Sequence, residues 1–381
     1  MIQRDKPGAR SGSFEAYGAA LTTPGAASCF GQNPSPSGEG LGRRPISLAL
    51  PFFVQGATAS DKFHRVSSIS IDRIREAAEV IDPVFLDSPQ FVCEPLSDRL
   101  GMTTVLKVEC INPIRSFKGR GTDYLLHRLG PQPGGFVCAS AGNFGQGMAY
   151  SARKRGGRLT VFAAVSANAL KVDRMRALGA TVVLEGADFD AAKEAGKRHA
   201  EATGALWVED GLAPEIAEGA GTIALELERL KTPLDAVLVP LGDASLVNGI
   251  GTWFKRFSPA TKVIAVCAAG APAMELSWRA GRAVSTTTID TIADGIAVRV
   301  PIAEAVAEMR SAVDEVMLVT DEDLIGAMRM LQGDAGLIVE PAGAAGLAAA
   351  LKRRAEFAGM RVAVALTGGN ITEDQIRRWL S

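Results

Sequence analysis

The sequence predicts an α/β protein with open parallel sheets and helices on both faces. Three observations support this fold class. Short apolar runs recur after about residue 67, stretches of about 10–15 residues with helical spacing separate most of them, and small-residue turns follow several of the runs. This alternation is typical of parallel strands joined by crossover helices. The 381 residues, 47% of them hydrophobic, suffice for one large or two medium domains.

The first part of the chain differs from the rest. Residues 1–66 are predicted to be a disordered extension, because most of them lie in a stretch rich in Gly, Pro and Ser that shows no helical or strand period. Residues 43–59 imitate a signal peptide, with two arginines, an apolar run and the small residues Ala57 to Ala59. Pro51 interrupts that run, however, and the run begins far from the N-terminus, so we do not expect export.

A regular pattern begins near Ser67. Ser70 is expected to cap a helix that runs through about Val80, with Asp72 in its first turn. A second helix is predicted over Asn168–Leu178, where four apolar residues recur at helical intervals. The predicted strands are Thr104–Val108, Gly135–Cys138, Leu159–Ala164, Thr181–Leu184, Asp235–Val239, Lys262–Cys267, Glu315–Val319, Leu337–Val339 and Arg361–Ala365.

Composition excludes several classes of function. A net charge of −1 provides no basic face for nucleic acid or an acidic membrane. No apolar run approaches the roughly 18 residues that span a bilayer. The five cysteines are scattered without a CxxC pair, and there are only three histidines, so we expect neither a metal site nor a disulfide framework. A reducing cytoplasm is the expected compartment.

Three small-residue loops follow predicted strands and precede predicted helices. They are Ser140 to Gly147, Pro240 to Leu246 and Leu366 to Asn370. Ligands of open α/β sheets bind beyond the carboxyl ends of the strands, and a helix N-terminus offers free N–H groups to a phosphate or carboxylate. The sequence therefore predicts that these loops line one crevice.

A fourth segment carries a lysine at a predicted helix start. In Ser116-Phe117-Lys118-Gly119-Arg120-Gly121, Ser116 is interpreted as the helix cap, which places Lys118 in the first turn. The helix dipole disfavours a cation there, so this position is expected to help keep the amine neutral and nucleophilic, as Schiff-base chemistry requires.

These motifs resemble those of the fold-type II pyridoxal-phosphate enzymes, which include threonine and serine dehydratases, serine racemase, cysteine synthase and threonine synthase. The Asn112-Pro113 pair with the Lys118 segment resembles the lysine motif, and Ser140-Ala141-Gly142-Asn143 resembles the asparagine loop of the dehydratases. Further segments match in order: Glu218 to Thr222, Thr291 to Gly295, Glu340 to Ala344 and Gly368 to Asn370. The resemblance covers about Ser67 to Ser381. It implies a fold like that of the tryptophan synthase β subunit, with a large cofactor-binding domain from residues 67–125 and 213–381 and a small domain from residues 126–212.

The resemblance also implies roles for individual residues. Lys118 would hold pyridoxal 5'-phosphate and later move the substrate Cα proton, while Phe117 would pack beside the cofactor ring. Asn143 would bind the ring hydroxyl and Thr367 the pyridine nitrogen. The phosphate would be surrounded by Gly242, Asp243, Ala244, Ser245 and Leu246, and the substrate carboxylate would be held by Ser140, Ala141, Gly142, Asn143 and Phe144. A homo-oligomer is implied in the same way.

The sequence departs from the family pattern at several places. Phe144 stands where many dehydratases have histidine, and Ala269 lies near a glutamate of metal-dependent relatives, which leaves few carboxylates for a hard cation. Near the lysine motif, Cys110 and Arg115 stand where the family usually has asparagine and glycine, respectively.

The phosphate loop reads Gly-Asp-Ala-Ser instead of four glycines. We expect negative φ angles at Ala244 and Ser245, because both carry a Cβ atom. We expect Asp243 to turn away from the phosphate and accept loop N–H bonds, because its charge repels a dianion. The hydroxyl of Ser245 is expected to bind the phosphate.

The reaction implied by the resemblance is elimination of a β-substituent. A hydroxyl group beside the pyridine nitrogen, rather than a carboxylate, favours prompt loss of a β-leaving group over a long-lived carbanion. The expected activity is a dehydratase that converts L-threonine, L-serine or a related β-hydroxy amino acid to a 2-oxo acid and ammonia. The alternatives are a β-replacement enzyme of the cysteine synthase or threonine synthase type, and a non-catalytic protein that binds the cofactor. Ala141 replaces the second serine of serine racemase in this loop, which predicts little racemisation.

Overall fold

The computed structural model describes residues 68–381, so the extension predicted over residues 1–66 lies outside the described residues. Thirteen α-helices, two short 3₁₀ helices and ten strands occur in the described part. The strands are β1 (Gln90–Val92), β2 (Thr103–Val108), β3 (Phe136–Ala139), β4 (Leu159–Ala163), β5 (Thr181–Leu184), β6 (Leu206–Val208), β7 (Ala236–Pro240), β8 (Lys262–Ala268), β9 (Glu315–Val319) and β10 (Arg361–Leu366). The helices are α1 (Ile71–Val80), α2 (Glu94–Leu100), α3 (Lys118–Leu129), α4 (Asn143–Lys154), α5 (Ala169–Ala177), α6 (Phe189–Thr203), α7 (Pro214–Glu228), α8 (Ser245–Phe257), α9 (Ala273–Ala280), α10 (Ala303–Ala312), α11 (Asp321–Ala335), α12 (Pro341–Lys352) and α13 (Glu373–Leu380).

The described strands form two sheets. The larger has the order β1-β2-β10-β7-β8-β9, and the smaller has the order β5-β4-β3-β6. All neighbours pair in parallel except β1, which is antiparallel to β2 at the sheet edge. The predicted α/β fold with parallel sheets is therefore confirmed. Residues 136–208 supply the smaller sheet, and segments on both sides of them supply the larger.

Both faces of the larger sheet are buried. On β7, Leu238 joins a hydrophobic cluster with residues of α11 and α12, while Val237 and Val239 join another cluster with residues of α7 and α8. Successive side chains of a strand point to opposite faces, so a strand covered on both sides needs a continuous apolar run. This requirement explains why the apolar runs were visible in the sequence.

The first predicted helix is confirmed, because α1 has Ser70 as its N-cap and the Ser70 side chain accepts a hydrogen bond from the backbone N–H of Arg73. The predicted strand Leu337–Val339 is wrong. Gly336, at φ 65°, ends α11, and Pro341 begins α12, so the segment is a short connection without a partner strand. Within this connection Val339 is fully buried, whereas Ile338 is exposed.

Two strands were missed, β1 and β6. Each has three residues, too few to show the alternation by which strands are recognised.

Candidate active site

The site is a cleft of about 590 Å³ lined by segments that follow β3, β6, β7 and β10 and by the start of α3. These segments come from both sheets, and each lies at the carboxyl end of its strand. Lys118, Asn143, Gly242 and Thr367 all line this cleft. The structure thus brings together the four segments that the sequence singled out.

Lys118 is the first residue of α3 and is buried. Its Nζ lies 2.7 Å from Asp210 Oδ2 and 2.7 Å from Asp243 Oδ2, and 5.0 Å from the centre of the Phe117 ring. The predicted cap needs a correction: Phe117 is the N-cap, while the Ser116 hydroxyl accepts a hydrogen bond from the Lys118 backbone N–H at 3.3 Å. The predicted first-turn position of the lysine is confirmed.

The residues around Lys118 favour the charged amine, which is opposite to the effect expected of the helix start. Burial opposes the charge of Lys118, but Asp210 and Asp243 outweigh it and raise the pKa of the amine above its ordinary value. Two carboxyl groups in direct contact, at least one of them ionised, act more strongly on the amine than a helix dipole does.

The pKa values of the two carboxyl groups, Asp210 and Asp243, are shifted in opposite directions. Burial and the neighbouring charge of Asp243 raise the pKa of Asp210 to about 8, even though Lys118 opposes that shift. Burial acts in the same direction on Asp243, but Lys118 and Asp210 hold the pKa of Asp243 below its usual range. Two carboxyl groups that share a site commonly hold one proton between them, and here Asp210 is the protonated member.

Asn143 connects two other motifs. Its Nδ2 donates to Glu340 Oε1 at 2.6 Å, and its Oδ1 accepts from Asn370 Nδ2 at 2.7 Å. The same Asn370 nitrogen donates to the backbone oxygen of Ile114 at 2.8 Å. Residues more than 190 positions apart in the chain therefore fix the asparagine loop against the lysine segment.

Within the asparagine loop, the hydroxyl of Ser140 accepts hydrogen bonds from the backbone N–H groups of Gly142 at 3.1 Å and Gly145 at 2.9 Å. It organises the start of α4. Ala141 and Phe144 also line the cleft, and Phe144 extends into the hydrophobic core beside the smaller sheet.

Thr367 follows β10 and is buried at the cleft. Its backbone oxygen accepts a hydrogen bond from the Phe117 N–H at 3.1 Å, and Gly368 forms an isolated bridge with Ser116. A Cβ atom at Gly368 would lie 2.0 Å from Glu340 Oε1, so only glycine fits there. The hydrogen bond from Phe117 and the bridge between Gly368 and Ser116 hold Thr367 next to the lysine segment.

The loop Gly242 to Leu246 leads into α8, whose N-terminus faces the cleft. Ala244 has φ 74°, so the expectation of a negative φ at this residue is wrong. The chain must turn in the left-handed region to start α8 directly after β7, which is the conformation that glycine supplies in the usual version of the loop.

Asp243 Oδ1 accepts a hydrogen bond from the Ser245 N–H at 2.9 Å, as expected, whereas Asp243 Oδ2 contacts Lys118. Ser245 is buried and does not line the cleft.

Arg115 also lies in the left-handed region, at φ 51°. The glycine that usually occupies this place adopts such a conformation without strain. The structure thus explains why glycine is usual at this place, and nothing in it explains the arginine.

Arg120, of the same motif, holds α3 in place and is fully buried. Its guanidinium contacts Glu109 Oε2 at 2.8 Å and Glu226 Oε1 at 2.6 Å, which joins α3 to the end of β2 and to α7. Lys107 also contacts Glu226. Buried ion pairs of this kind fix geometry more than they add stability.

Sequence reasoning missed Asp210 and Lys171. Asp210 is the second residue after β6, and recognising that strand would have drawn attention to the residues beyond its end. Lys171 lines the cleft from α5 and forms an ion pair with Asp294. In the part of the chain that the structure covers, no group of His, Cys, Asp and Glu side chains is arranged to hold a metal ion. No helix in residues 68–381 is long and apolar enough to cross a membrane.

Comparison with known proteins supports the assignment of this cleft. The family profile described as "Pyridoxal-phosphate dependent enzyme" matches residues 81–368. The L-threonine ammonia-lyase of Thermotoga maritima is 35% identical over 312 residues, which are 81% of this chain and 78% of that protein. The biosynthetic chloroplastic threonine dehydratase of Arabidopsis thaliana is 33% identical, over 87% of this chain but only 58% of that protein. The structure of maize serine racemase superposes with a TM-score of 0.77 at 27% identity, covering 81% of this chain and 96% of that one.

Proposed function

Because this chain belongs to the pyridoxal-phosphate dependent enzyme family, we propose that it is an ammonia-lyase that converts L-threonine, L-serine or a related β-hydroxy amino acid to a 2-oxo acid and ammonia. The observation that carries the proposal is the position of Lys118, whose amine lies in the cleft among the other family motifs. The ammonia-lyase and dehydratase named above support the reaction type.

The residues present fit the cofactor. Lys118 supplies an amine in the cleft, and Phe117 lies beside it. Asp243 accepts the Ser245 N–H, and the following N–H groups at the start of α8 meet no side-chain cap from Ala244, so they are offered to an anion. We propose the following cofactor contacts: Phe117, Lys118, Asn143, Gly242, Asp243, Ala244, Leu246 and Thr367. Ser245, which does not line the cleft, is not among them. When bound, pyridoxal phosphate withdraws electrons from the substrate Cα.

The chain's own residues would perform the remaining tasks. The loop from Ser140 to Phe144 would hold the substrate carboxylate at the start of α4, where backbone N–H groups favour an anion. The amine of Lys118 would take the proton from Cα. Asp210 and Asp243 stabilise the ammonium that results, because both carboxyl groups contact Nζ. Asn143 and Thr367 would orient the cofactor ring.

The proposal is tested with a panel of β-hydroxy amino acids in both enantiomers, assayed for 2-oxo acid and for ammonia. Equal amounts of the two products from an L-amino acid are expected. Formation of a new amino acid only when a thiol is added would instead indicate β-replacement. Cofactor absorbance without turnover of any member of the panel would contradict a lyase.

We further propose a two-domain division at residues 126–212, a cytoplasmic location and a homo-oligomer. The separate sheet built from residues 136–208 supports the division. The cysteines in the described residues are free thiols, in keeping with a reducing compartment. The homo-oligomer rests on family resemblance, and light scattering of the purified protein would test it.

A further inference from the structure

We propose that Asp210 is a catalytic acid that delivers a proton to the departing β-hydroxyl group of the substrate. This inference rests on the proposed function and deepens it. The family resemblance implies that the cofactor phosphate gives this proton, and neither the resemblance nor the sequence motifs assign a role to Asp210.

The position of Asp210 suits this role. It follows β6 at the cleft, its Oδ2 lies 2.7 Å from the Nζ of Lys118, and 21% of its side chain is exposed. The reacting carbon atoms must lie near Lys118 if that amine removes the Cα proton. A group in contact with Nζ is then within reach of the β-substituent as well.

The neighbouring carboxyl groups are already engaged. Asp243 accepts the Ser245 N–H through its other oxygen. One carboxylate oxygen of Glu209 contacts Lys193, and the other accepts a hydrogen bond from Trp207 Nε1 at 3.3 Å. In contrast, Asp210 Oδ1 is buried and has no hydrogen-bond partner among the described residues.

A buried carboxylate oxygen without a donor is unfavourable, whereas the carbonyl oxygen of a neutral acid loses much less when it is left unpaired. The surroundings of Asp210 therefore favour its protonated form. The charge of Asp243, on the same amine, acts in the same direction and contributes to a pKa of about 8. Asp210 is thus able to donate a proton near neutral pH.

The protons balance without an external reagent. Lys118 takes the proton from Cα as the Cβ–O bond breaks, and the bonding electron pair leaves with oxygen. The Asp210 proton joins that oxygen, so water departs. The ammonium of Lys118, in contact with the Asp210 carboxylate, then returns a proton to it. The proton removed at Cα thereby replaces the one delivered at the β-oxygen.

The experiment compares L-serine with β-chloro-L-alanine in Asp210→Asn. Chloride leaves without a proton, whereas hydroxide needs one. Loss of a general acid lowers rates by about 10²–10⁴-fold. We expect a loss of this size in kcat for L-serine and only a few-fold loss for the chloro substrate. Glu209→Gln, a neutralised carboxyl group at the adjacent position, should leave the ratio of the two rates unchanged. Equal losses for both substrates in Asp210→Asn would overturn the proposal and leave the cofactor phosphate as the donor.

The unaltered enzyme provides a second measurement that does not depend on the variant folding. The rate with L-serine should fall as pH rises through about 8, where Asp210 loses its proton, while the rate with β-chloro-L-alanine should not share this fall. Parallel profiles for the two substrates would contradict the role of Asp210.

A third measurement uses no turnover. In the cofactor-free protein, acylation of Lys118 at pH 8 is followed by mass spectrometry. Asp210→Asn should speed labelling, because loss of the carboxyl group lowers the pKa of the amine. Unchanged labelling would overturn the contact on which the proton return depends. Failure of the proposed function looks different, since the unaltered enzyme would then release no 2-oxo acid from any β-hydroxy amino acid.

Discussion

At the scale of single residues, Lys118 carries the chemistry, and its surroundings explain how. Its amine is buried between two carboxyl groups, and its backbone starts a helix that Arg120 anchors. The position of the amine is therefore set by elements from both sheets rather than by its own flexible side chain.

Lys118→Ala should abolish the visible absorbance of the lysine-bound cofactor and lower turnover by at least about 10³-fold, because both the covalent link and the base at Cα are lost. Absorbance spectra and a 2-oxo acid assay measure the two effects. Lys171→Ala serves as the control, since Lys171 is also a buried lysine that lines the cleft. The assignment fails if borohydride still reduces a link to the protein in Lys118→Ala.

Ala141 bears on whether the enzyme can racemise its substrate at Cα. A racemase needs a proton donor on each face of this carbon, and the methyl group of Ala141 in the cleft has no proton to give. We expect deamination of L-serine with little D-serine formed, and a measurable increase of racemisation in Ala141→Ser. Chiral chromatography follows both enantiomers. Rapid interconversion by the unaltered enzyme would show that another residue serves the second face.

At the scale of elements, the start of α8 combines binding and strain. A residue with a Cβ atom loses about 1–2 kcal/mol in the left-handed conformation, while glycine adds roughly 0.5–1 kcal/mol of chain entropy to the unfolded state. Ala244→Gly is therefore expected to raise the free energy of unfolding by up to about 1 kcal/mol, as measured by urea denaturation.

An exposed alanine in α6 provides the matched control. Ala191→Gly should lower the free energy of unfolding by about 0.5–1 kcal/mol, because Ala191 has an ordinary helical backbone. A loss of stability in Ala244→Gly as well would mean that the left-handed turn carries no strain.

Helix α7 contains a buried acid that ties it to α1. Glu218 is fully buried, accepts the Ser70 N–H at 3.0 Å, and leaves Oε2 without a partner in the described structure. Burial raises the pKa of Glu218 to about 7 from its ordinary value of 4.5. A group whose pKa is raised in the folded state contributes its full stabilisation at pH values below the pKa of the unfolded state. This contribution is lost as the pH rises through the pKa of the folded state.

The stability of the protein should therefore fall between about pH 4.5 and 7 by an amount, on the order of 3 kcal/mol, that is missing in Glu218→Gln. Chemical denaturation across this pH range measures the difference. Glu215→Gln, in the first turn of the same helix, should keep the pH dependence of the unaltered protein. A common slope for Glu218→Gln and the unaltered protein would show that Glu218 ionises normally.

At the scale of the whole molecule, the described residues 68–381 contain both sheets, the cleft and all the matched motifs. A chain that begins at Ser67 is therefore expected to fold and to turn over substrate at the rate of the full chain. It keeps the contact of the Ser70 N–H with Glu218. A large decrease in Tm on removal of residues 1–66 would assign them a structural role.

A second truncation gives a contrast. A chain that begins at Asp82 lacks α1 and loses the buried side chains of Ile74 and Ala77. Burial of one large apolar side chain contributes about 1.5–3 kcal/mol, so this chain should show a clearly lower Tm.

The sequence by itself determined the fold class, the strands buried on both faces and the lysine, asparagine and glycine motifs, because each depends on local periodicity or on a short run of residues. The same local view placed a strand at Leu337–Val339 and a negative φ at Ala244, where neighbouring helices decide the backbone instead.

Only the tertiary structure decided the electrostatics of the cleft. Lys118, Asp210 and Asp243 are up to 125 positions apart in the chain, yet each of the two carboxyl groups lies 2.7 Å from the amine. Coulomb energy depends on distance in space and on burial, neither of which a residue's place in the sequence reveals. The state of the catalytic amine therefore follows from the way the two sheets are assembled.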